Sequence, residues 1–438
     1  MPMRRVAVGL MGLGTVGGGV ARLLLGEADR IARRAGKRIE LKGILVRDRT
    51  KQRTVEGVSD LLTTDPHRLI DDPEIEVIIE TIGGTDRALE WILAALSAGK
   101  HVVTANKAVL AEHGGLIFDQ ARRFGRAVAF EGAVGGGIPI IQALGVALAA
   151  NEIRSISAIL NGTCNFILTS MDQGGLTYSA ALSEAQARGY AEADPTLDVD
   201  GTDTAHKLAI LAQLAFGVNV TIDQIPRGGI DKLQAADVRY AGELGYTVKL
   251  LALARLSTAG LALRVAPTLV RRGTPLAEVG GAFNAIRVFG DAVGETLFYG
   301  RGAGMLPTAS AVVGDLIDVV VGRAELTSNI LNLWSNDRCA PSHRQARSDE
   351  VRSRYYLRFT IADRPGVLAS LARVLGDYAI SIASVIQHDP GENDGPGSPV
   401  PLVIMTHQAT EAGVVAALEH IDKLDVVYAP SVRLGVEE

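Results

Sequence analysis

Apolar residues in the first part of the chain come in short blocks separated by stretches of helical periodicity. Residues 6–11 form an apolar run that predicts a strand, and a helical pattern continues from there to about Arg34. Further apolar blocks lie at 39–46, 75–81 and 100–104, with a helical pattern over 87–98 between the last two. Strands that alternate with helices in this way predict an α/β fold with a Rossmann-like, doubly wound parallel sheet, reaching about residue 130. From 131 to 304, long helical patterns mix with strands such as 154–160 and 261–267, predicting a second α/β domain for substrate and dimer contacts. A helical run at 309–322 follows. Periodicity alone assigns it to neither domain, and the expectation is that 305–334 completes the first.

The polar stretch 335–354 contains Pro341 and several arginines and reads as a linker. After it, strands are predicted at 355–361, 380–387, 400–405 and 426–428, helices at 367–378 and 411–421, and a loop at 389–398. That order, β-α-β-β-α-β, predicts a ferredoxin-like domain over 355–438.

Composition agrees with a cored α/β protein: 47% of the 438 residues are hydrophobic and 49 are glycine, while only 5% are aromatic. A net charge of −5 gives no argument for a nucleic-acid surface, so no nucleic-acid partner is expected. No charge-free apolar run approaches the roughly 18 residues needed to span a bilayer, and no signal peptide is evident. Two cysteines, Cys164 and Cys339, are too few for a disulfide framework. A cytoplasmic location without membrane contact is the expectation.

Several polar groups stand out. Gly12, Gly14 and Gly17 follow a strand and open a helix, the context in which a G-x-G-x-x-G turn lets backbone N–H groups approach a pyrophosphate. A glycine-rich turn without ligand is the plain alternative, and the flanking elements weigh against it. At the end of the second strand, Arg47 suits a 2′-phosphate and Asp48 a free 2′-hydroxyl. Arg47 comes first, which favours NADP(H) and leaves NAD open. Lys107 lies just past a strand of the parallel sheet, where ligands collect. Glu131 precedes a Gly-rich run whose carbonyls suit a hard cation, although a tight turn explains the run equally well. Between Glu192 and Lys207 the chain is unusually acidic, and Asp203 and Lys207, four apart, share a helix face. An exposed ion pair is the alternative there, worth about 0.3–0.5 kcal/mol. His206 points elsewhere on that helix and is read as structural. Cys164 has no histidine in its motif and is read as a small buried hydrophobe.

Taken in order, GLGTVG, VTANK, EGAVGGGIP, NGTCNFIL, GYAEADPTLDVDGTDTAHKLAIL and GRGAGMLPTASAVVGDL resemble the homoserine dehydrogenase family over about residues 5–330. DRPGVLASLARVL, within the C-terminal unit, looks like an ACT domain, a small amino-acid-binding regulatory module. With no aspartate-kinase-like region ahead of it, the chain is similar to the monofunctional form. The resemblance implies NAD(P)H-dependent, reversible reduction of L-aspartate 4-semialdehyde to L-homoserine, in threonine, methionine and isoleucine biosynthesis. It places the catalytic role on Lys207, with Lys107 sharing the proton or orienting the carbonyl. Substrate contacts fall on Glu192 and Asp203, with Asp198 as a polar neighbour. Cofactor contacts fall on Leu13, Gly14, Thr15, Val16, Arg47, Ala105, Lys107, Gly189 and Gly304. A monovalent-cation site, sodium in the family, falls on Glu131 and the carbonyls of Val134, Gly136 and Ile138. A free lysine, near pKa 10.4, is a poor base at neutral pH, so its surroundings have to tune it.

The resemblance further implies a homodimer or homotetramer and inhibition by threonine through the ACT domain. That domain is expected to dock through its linker and to be removable from about Ser353 with basal activity kept. Two readings compete. An aspartate-semialdehyde dehydrogenase would need an activated Cys–His pair, which Cys164 lacks. A non-catalytic ACT-linked amino-acid sensor is disfavoured by the intact set Lys107, Glu192, Asp203 and Lys207.

Overall fold

The strand Arg5–Met11 (β1) buries Val6, Val8, Leu10 and Met11, so side chains on both of its faces are covered, as a central parallel strand requires. Around it stand β2 (Arg38–Leu45), β3 (Leu62–Thr63), β4 (Ile75–Glu80), β5 (His101–Thr104) and β6 (Val128–Ala129). The sheet is parallel throughout, in the order β3-β2-β1-β4-β5-β6. The strand order reverses between β1 and β4, which opens a crevice beyond their carboxyl ends. This computed structural model describes residues 3–325, 343–388 and 399–437. Residues 326–334 of the expected completion of the first domain, 335–342 of the expected linker and the expected loop at 389–398 lie outside the described residues.

By contacts the chain falls into two units. The first comprises Met1–Gly162, Thr202–Pro226 and Ala282–His343; the second comprises Thr163–Gly201, Arg227–Gly281 and Arg344–Glu438. In the first unit the helical stretch expected as one piece is two helices, Thr15–Gly26 and Ala28–Ala35, because Glu27 leaves helical geometry at φ −119°. The helix Met305–Val321 sends Ala309, Val312, Val313 and Leu316 into the same core as β1 and β2. Its approach depends on Gly19, where a Cβ would stand 2.7 Å from the Met305 carbonyl oxygen.

Five strands follow in the chain: β7 (Ile153–Ile159), β8 (Tyr246–Ser257), β9 (Gly260–Arg271), β10 (Phe283–Gly290) and β11 (Gly294–Arg301). In the first unit β10 pairs antiparallel with both β7 and β11. In the second, β8 and β9 form a long antiparallel hairpin.

The expected C-terminal β-α-β-β-α-β order is present as β12 (Arg352–Ala362), the helix Val367–Asp377, β13 (Ile382–Gln387), β14 (Pro399–Thr406), the helix Glu411–Ile421 and β16 (Val427–Glu437), with a short β15 (Ala409–Thr410) paired to β12. Tyr355, Leu357, Phe359 and Ile361 alternate along β12 into a core shared with Leu371, Val414 and Ile421 of the two helices. The last strand is much longer than the expected 426–428. Pro430 stops the apolar pattern there, but it falls where the register shifts between the pairs Thr360–Ala429 and Arg358–Val432, so its missing N–H costs no ladder bond.

That extra length matters. Gly435, Val436 and Glu437 of β16 pair in parallel with Thr268, Leu269 and Val270 of β9. On the other face of β12, Arg358 clamps the fully buried Asp237 of the helix Ala235–Glu243, with Nε at 2.6 Å and Nη2 at 3.1 Å, and the Tyr356 hydroxyl donates to the same carboxylate at 3.2 Å. The expected linker takes part too: Leu261 N donates to Arg344 O and Ala346 N to Leu261 O, both at 2.9 Å. The tail expected to dock through a linker is thus part of the second unit. Its sheet is built onto β9 by backbone pairing and tied to the helix Ala235–Glu243 by a buried ion pair.

Candidate active site

The helix Thr202–Phe216 begins with Asp203 in its first turn and carries Lys207 one turn on, both 9% exposed. Spacing of i,i+4 makes them neighbours on one face, and Lys207 Nζ donates to Asp203 Oδ2 at 2.7 Å. The lysine's second donor bond goes to the backbone oxygen of Leu160 at 2.7 Å, just past β7. Asn161 Nδ2 donates to the same Asp203 oxygen at 2.9 Å. The other carboxylate oxygen, Oδ1, faces Lys107 Nζ at 3.1 Å. Lys107 opens the helix Lys107–Phe124, whose N-terminus is capped by the Asn106 side chain accepting from Val109 N.

Asp203 thus joins two amines that are 100 residues apart in the chain. Burial works against its ionisation, but the ammonium groups of Lys207 and Lys107 and the hydrogen bonds from Lys207 and Asn161 hold its carboxyl well below the usual carboxylate range. With both amines protonated, the trio carries one excess positive charge. A fixed positive charge with a transferable proton suits a reaction in which negative charge grows on a carbonyl oxygen. His206 faces Glu112 at 3.7 Å, and burial lowers its basicity, in keeping with a structural role.

The glycine loop has the form a dinucleotide needs. Gly12 sits at φ +98°, and a Cβ on Gly17 would lie 2.1 Å from the Gly12 carbonyl oxygen. A Cβ on Gly14 would meet nothing within 4 Å, so space is open in front of the turn. The helix Thr15–Gly26 has no side-chain cap and no acidic residue in its first turn, leaving its N-terminal N–H groups for an anion. Thr81 closes the turn, its hydroxyl donating to the carbonyls of Met11 and Gly12 at 3.1 Å each. Gly304, at φ +121°, begins the helix Met305–Val321 in the same unit. Asp48 Oδ1 accepts from Thr50 N and Oγ1 at 2.7 Å each, and Arg47 is exposed. Beside it Arg49, Lys51 and Arg53 line a cavity of about 570 Å³.

Glu131 is buried. Its two oxygens accept from Ile141 N and Gln142 N at 2.9 Å each, and its own N–H donates to Asp315 Oδ2 at 2.7 Å. Burial above all, and then the Glu131 charge, push Asp315 well up; burial also raises Glu131 against the pull of those N–H donors. Gly135 and Gly136 take left-handed conformations at φ +73° and +51°. The Ile138 carbonyl accepts from Ile140 N, while among the described residues no donor is directed at the carbonyls of Val134 or Gly136. Carboxylates and open backbone carbonyls are the donor types that a hard cation takes.

Gly189, Glu192 and Asp198 belong to the second unit. There Gly189 has φ +72°, the Glu192 carbonyl accepts from Gln186 Nε2 at 3.1 Å, and the Asp198 carbonyl accepts from the Cys164 thiol at 3.2 Å. Cys164 is fully buried, which suits a packing role. Sequence reasoning missed Asn161, the Leu160 carbonyl, Glu80 and Asp315. A carbonyl leaves no mark in the sequence, but the acid that ends an apolar strand, Glu80, was a usable signal.

Family models for the homoserine dehydrogenase NAD-binding domain, for homoserine dehydrogenase and for the ACT domain match residues 12–131, 139–317 and 355–425. The homoserine dehydrogenase of Pseudomonas aeruginosa is 46% identical over 437 residues, covering 100% of both chains. A homoserine dehydrogenase structure from Thiobacillus denitrificans matches with a TM-score of 0.91 at 44% identity, covering 100% of this chain and 99% of that one. A hyperthermophilic archaeal homoserine dehydrogenase in complex with NADPH matches with a TM-score of 0.59 at 26% identity, over 73% of this chain and 98% of that one. A Rossmann-type sheet with its glycine loop, a buried lysine–aspartate–lysine cluster and full-length identity at this level lead to one conclusion: the chain belongs to the homoserine dehydrogenase family of oxidoreductases and carries an ACT domain.

Proposed function

We propose that Lys207 is the proton donor to the aldehyde oxygen of L-aspartate 4-semialdehyde and the acceptor in the reverse direction. The observation that carries this reading is the shared carboxylate of Asp203 between Lys107 and Lys207. When bound, the nicotinamide cofactor supplies or takes up the hydride. Lys207 uses two N–H bonds on Asp203 and Leu160, which fixes its amine and keeps a third for the substrate oxygen. Lys107 adds a second positive charge where the alkoxide forms. Asp203 holds both amines, and by the resemblance Glu192 and Asp203 are the partners of the substrate's own ammonium, with Asp198 as a polar neighbour. Oxidation of NADPH on adding L-aspartate 4-semialdehyde, without phosphate, tests the activity; turnover only with phosphate would favour an acylating aldehyde dehydrogenase.

The glycine loop and Leu13, Thr15, Val16, Ala105, Gly189 and Gly304 are proposed to hold the cofactor, with NADP(H) preferred. The basic run from Arg47 to Arg53 supports that preference, as does the NADPH bound by the archaeal relative. Arg47→Ala is expected to weaken NADPH binding by about tenfold or more, the worth of a lost charge-assisted hydrogen bond, and NADH binding much less. Equal losses in a fluorescence titration would take the 2′-phosphate away from Arg47.

A monovalent cation, sodium by the resemblance, is proposed to rest on Glu131 and the carbonyls of Val134, Gly136 and Ile138, offsetting the charge shared with Asp315. Replacing sodium by tetramethylammonium at equal ionic strength is expected to lower the melting temperature, and Glu131→Gln to remove the difference. A melting temperature indifferent to the cation would dismiss the site. We further assign threonine inhibition to the ACT turn at 363–367, where Gly366 stands at φ +91° and Gln387 Nε2 donates to Asp363 Oδ1 at 3.2 Å. A homo-oligomer and a cytoplasmic location belong to the same proposal.

A further inference from the structure

Glu80 ends β4 and is fully buried, as is Thr104 at the end of β5 beside it. An ionised carboxylate in such a place is costly unless its oxygens are filled with donors. Here they are. Oε1 accepts from the backbone N–H of Ile82 at 2.8 Å and of Gly83 at 3.4 Å, and Oε2 accepts from the Thr104 hydroxyl at 2.6 Å. The loop is shaped for this, since Gly83 and Gly84 both take left-handed conformations, at φ +72° and +74°. The network then runs on toward the lysine. Thr104 Oγ1 accepts from Asn106 N at 3.0 Å, Asn106 Nδ2 donates back to Gly84 O at 2.7 Å, and Asn106 Oδ1 caps the helix that Lys107 opens.

We propose that Glu80 is a positioning residue for the reaction: its carboxylate ties the loop at 82–84 to the segment 104–107 and so sets where the Lys107 ammonium stands against Asp203. The inference rests on the role given above to Lys107. Its logic is geometric. The loop lies beyond the carboxyl end of β4, next to the glycine turn that follows β1, and the segment lies beyond the neighbouring β5. One fully buried acid therefore holds two stretches that border the dinucleotide crevice. Burial raises the carboxyl against the pull of Thr104, Ile82 and Gly83. A group kept buried at that cost, where a hydrophobic residue would pack, is here for the order it imposes on its donors.

Thr104→Val removes the hydroxyl at nearly constant shape and so cuts the link that runs from Glu80 through Thr104 to the Asn106 backbone N–H. Turnover is expected to fall by about tenfold or more, as reacting groups lose alignment, with KM for the semialdehyde nearly unchanged. NADPH binding, read by fluorescence, weakens as the loop at 82–84 loosens, and the kinetic isotope effect from 4-deuterated NADPH rises as the chemical step becomes slower. Thr104→Ser, which restores the hydroxyl, returns all three readouts to near native. Glu80→Gln moves them in the same direction as Thr104→Val, and it decides the matter if Thr104→Val does not fold. Native turnover, native NADPH binding and a native isotope effect in folded Thr104→Val or Glu80→Gln, with only the melting temperature lowered, would overturn the inference. Lys107→Ala separates the two levels. If it retains full turnover, the role of Lys107 falls and the inference with it. If it loses turnover while Thr104→Val keeps it, the inference about Glu80 alone is wrong.

Discussion

Lys207→Ala is expected to lower turnover by at least about a hundredfold, the lower range for losing a positioned general acid. Substrate affinity should change far less, because the substrate ammonium is assigned to other residues. The variant should still fold. Asp203 keeps Lys107 at 3.1 Å and Asn161 at 2.9 Å, so its buried charge is not left without partners. Lys107 is a poor substitute for the lost donor: its side chain is 38% exposed, and it reaches the other oxygen of Asp203. Adding Lys107→Ala to Lys207→Ala shows whether the two amines share the proton. A further drop means that they do, and no change means that Lys207 carries it alone. Near-normal turnover in folded Lys207→Ala would remove this lysine from the chemistry, whatever the geometry suggests.

The second large effect concerns stability. Asp237→Ala is expected to destabilise the second unit by about 3–5 kcal/mol, because it strands Arg358 in the interior without a counter-charge. Arg358 is 6% exposed and makes two hydrogen bonds to that carboxylate, and Tyr356 loses its acceptor in the same substitution. Replacing the pair together, as Asp237→Leu with Arg358→Met, should recover most of the loss, since no charge is then left unpaired. Urea unfolding of the parent and the two variants reads this directly, and a single Asp237→Ala as stable as the parent would mean that water reaches the pair. The same contacts bear on how regulation is tested. Truncation from about Ser353 would strip β16 from β9 and leave the buried Asp237 without its counter-charge, so lost activity in the truncated chain would report on folding. Substitution within the ACT turn, such as Gly366→Ala at its left-handed position, is the cleaner test of threonine sensitivity.

Much of this protein was legible in the letters alone. Gly12, Gly14 and Gly17 after an apolar strand announced a dinucleotide turn, because only glycine fits where Gly17 meets the Gly12 carbonyl. Asp203 and Lys207 had to be neighbours once their segment was helical, since 3.6 residues per turn brings i and i+4 together. The C-terminal order of strands and helices was read correctly from alternation and turn residues, as far as Pro430. Each of these rests on local periodicity or local sterics, which a single sequence contains.

Tertiary structure decided the rest. Periodicity reports that a face is buried and never what it is buried against. Lys107 reaches Asp203, Glu80 reaches Thr104, and Arg358 reaches Asp237 across 96, 24 and 121 positions, and no spacing rule encodes such separations. The Leu160 oxygen that holds Lys207 belongs to the backbone, where every residue type looks alike. β16 extends past Pro430 onto β9 because a register shift absorbs the proline, an accommodation that depends on the partner strand. The sequence by itself determined most of the elements that form and named the side chains proposed to carry the chemistry. The packing of those elements decided which charges meet, because Coulombic and hydrogen-bond partners are set by distance in space and not along the chain.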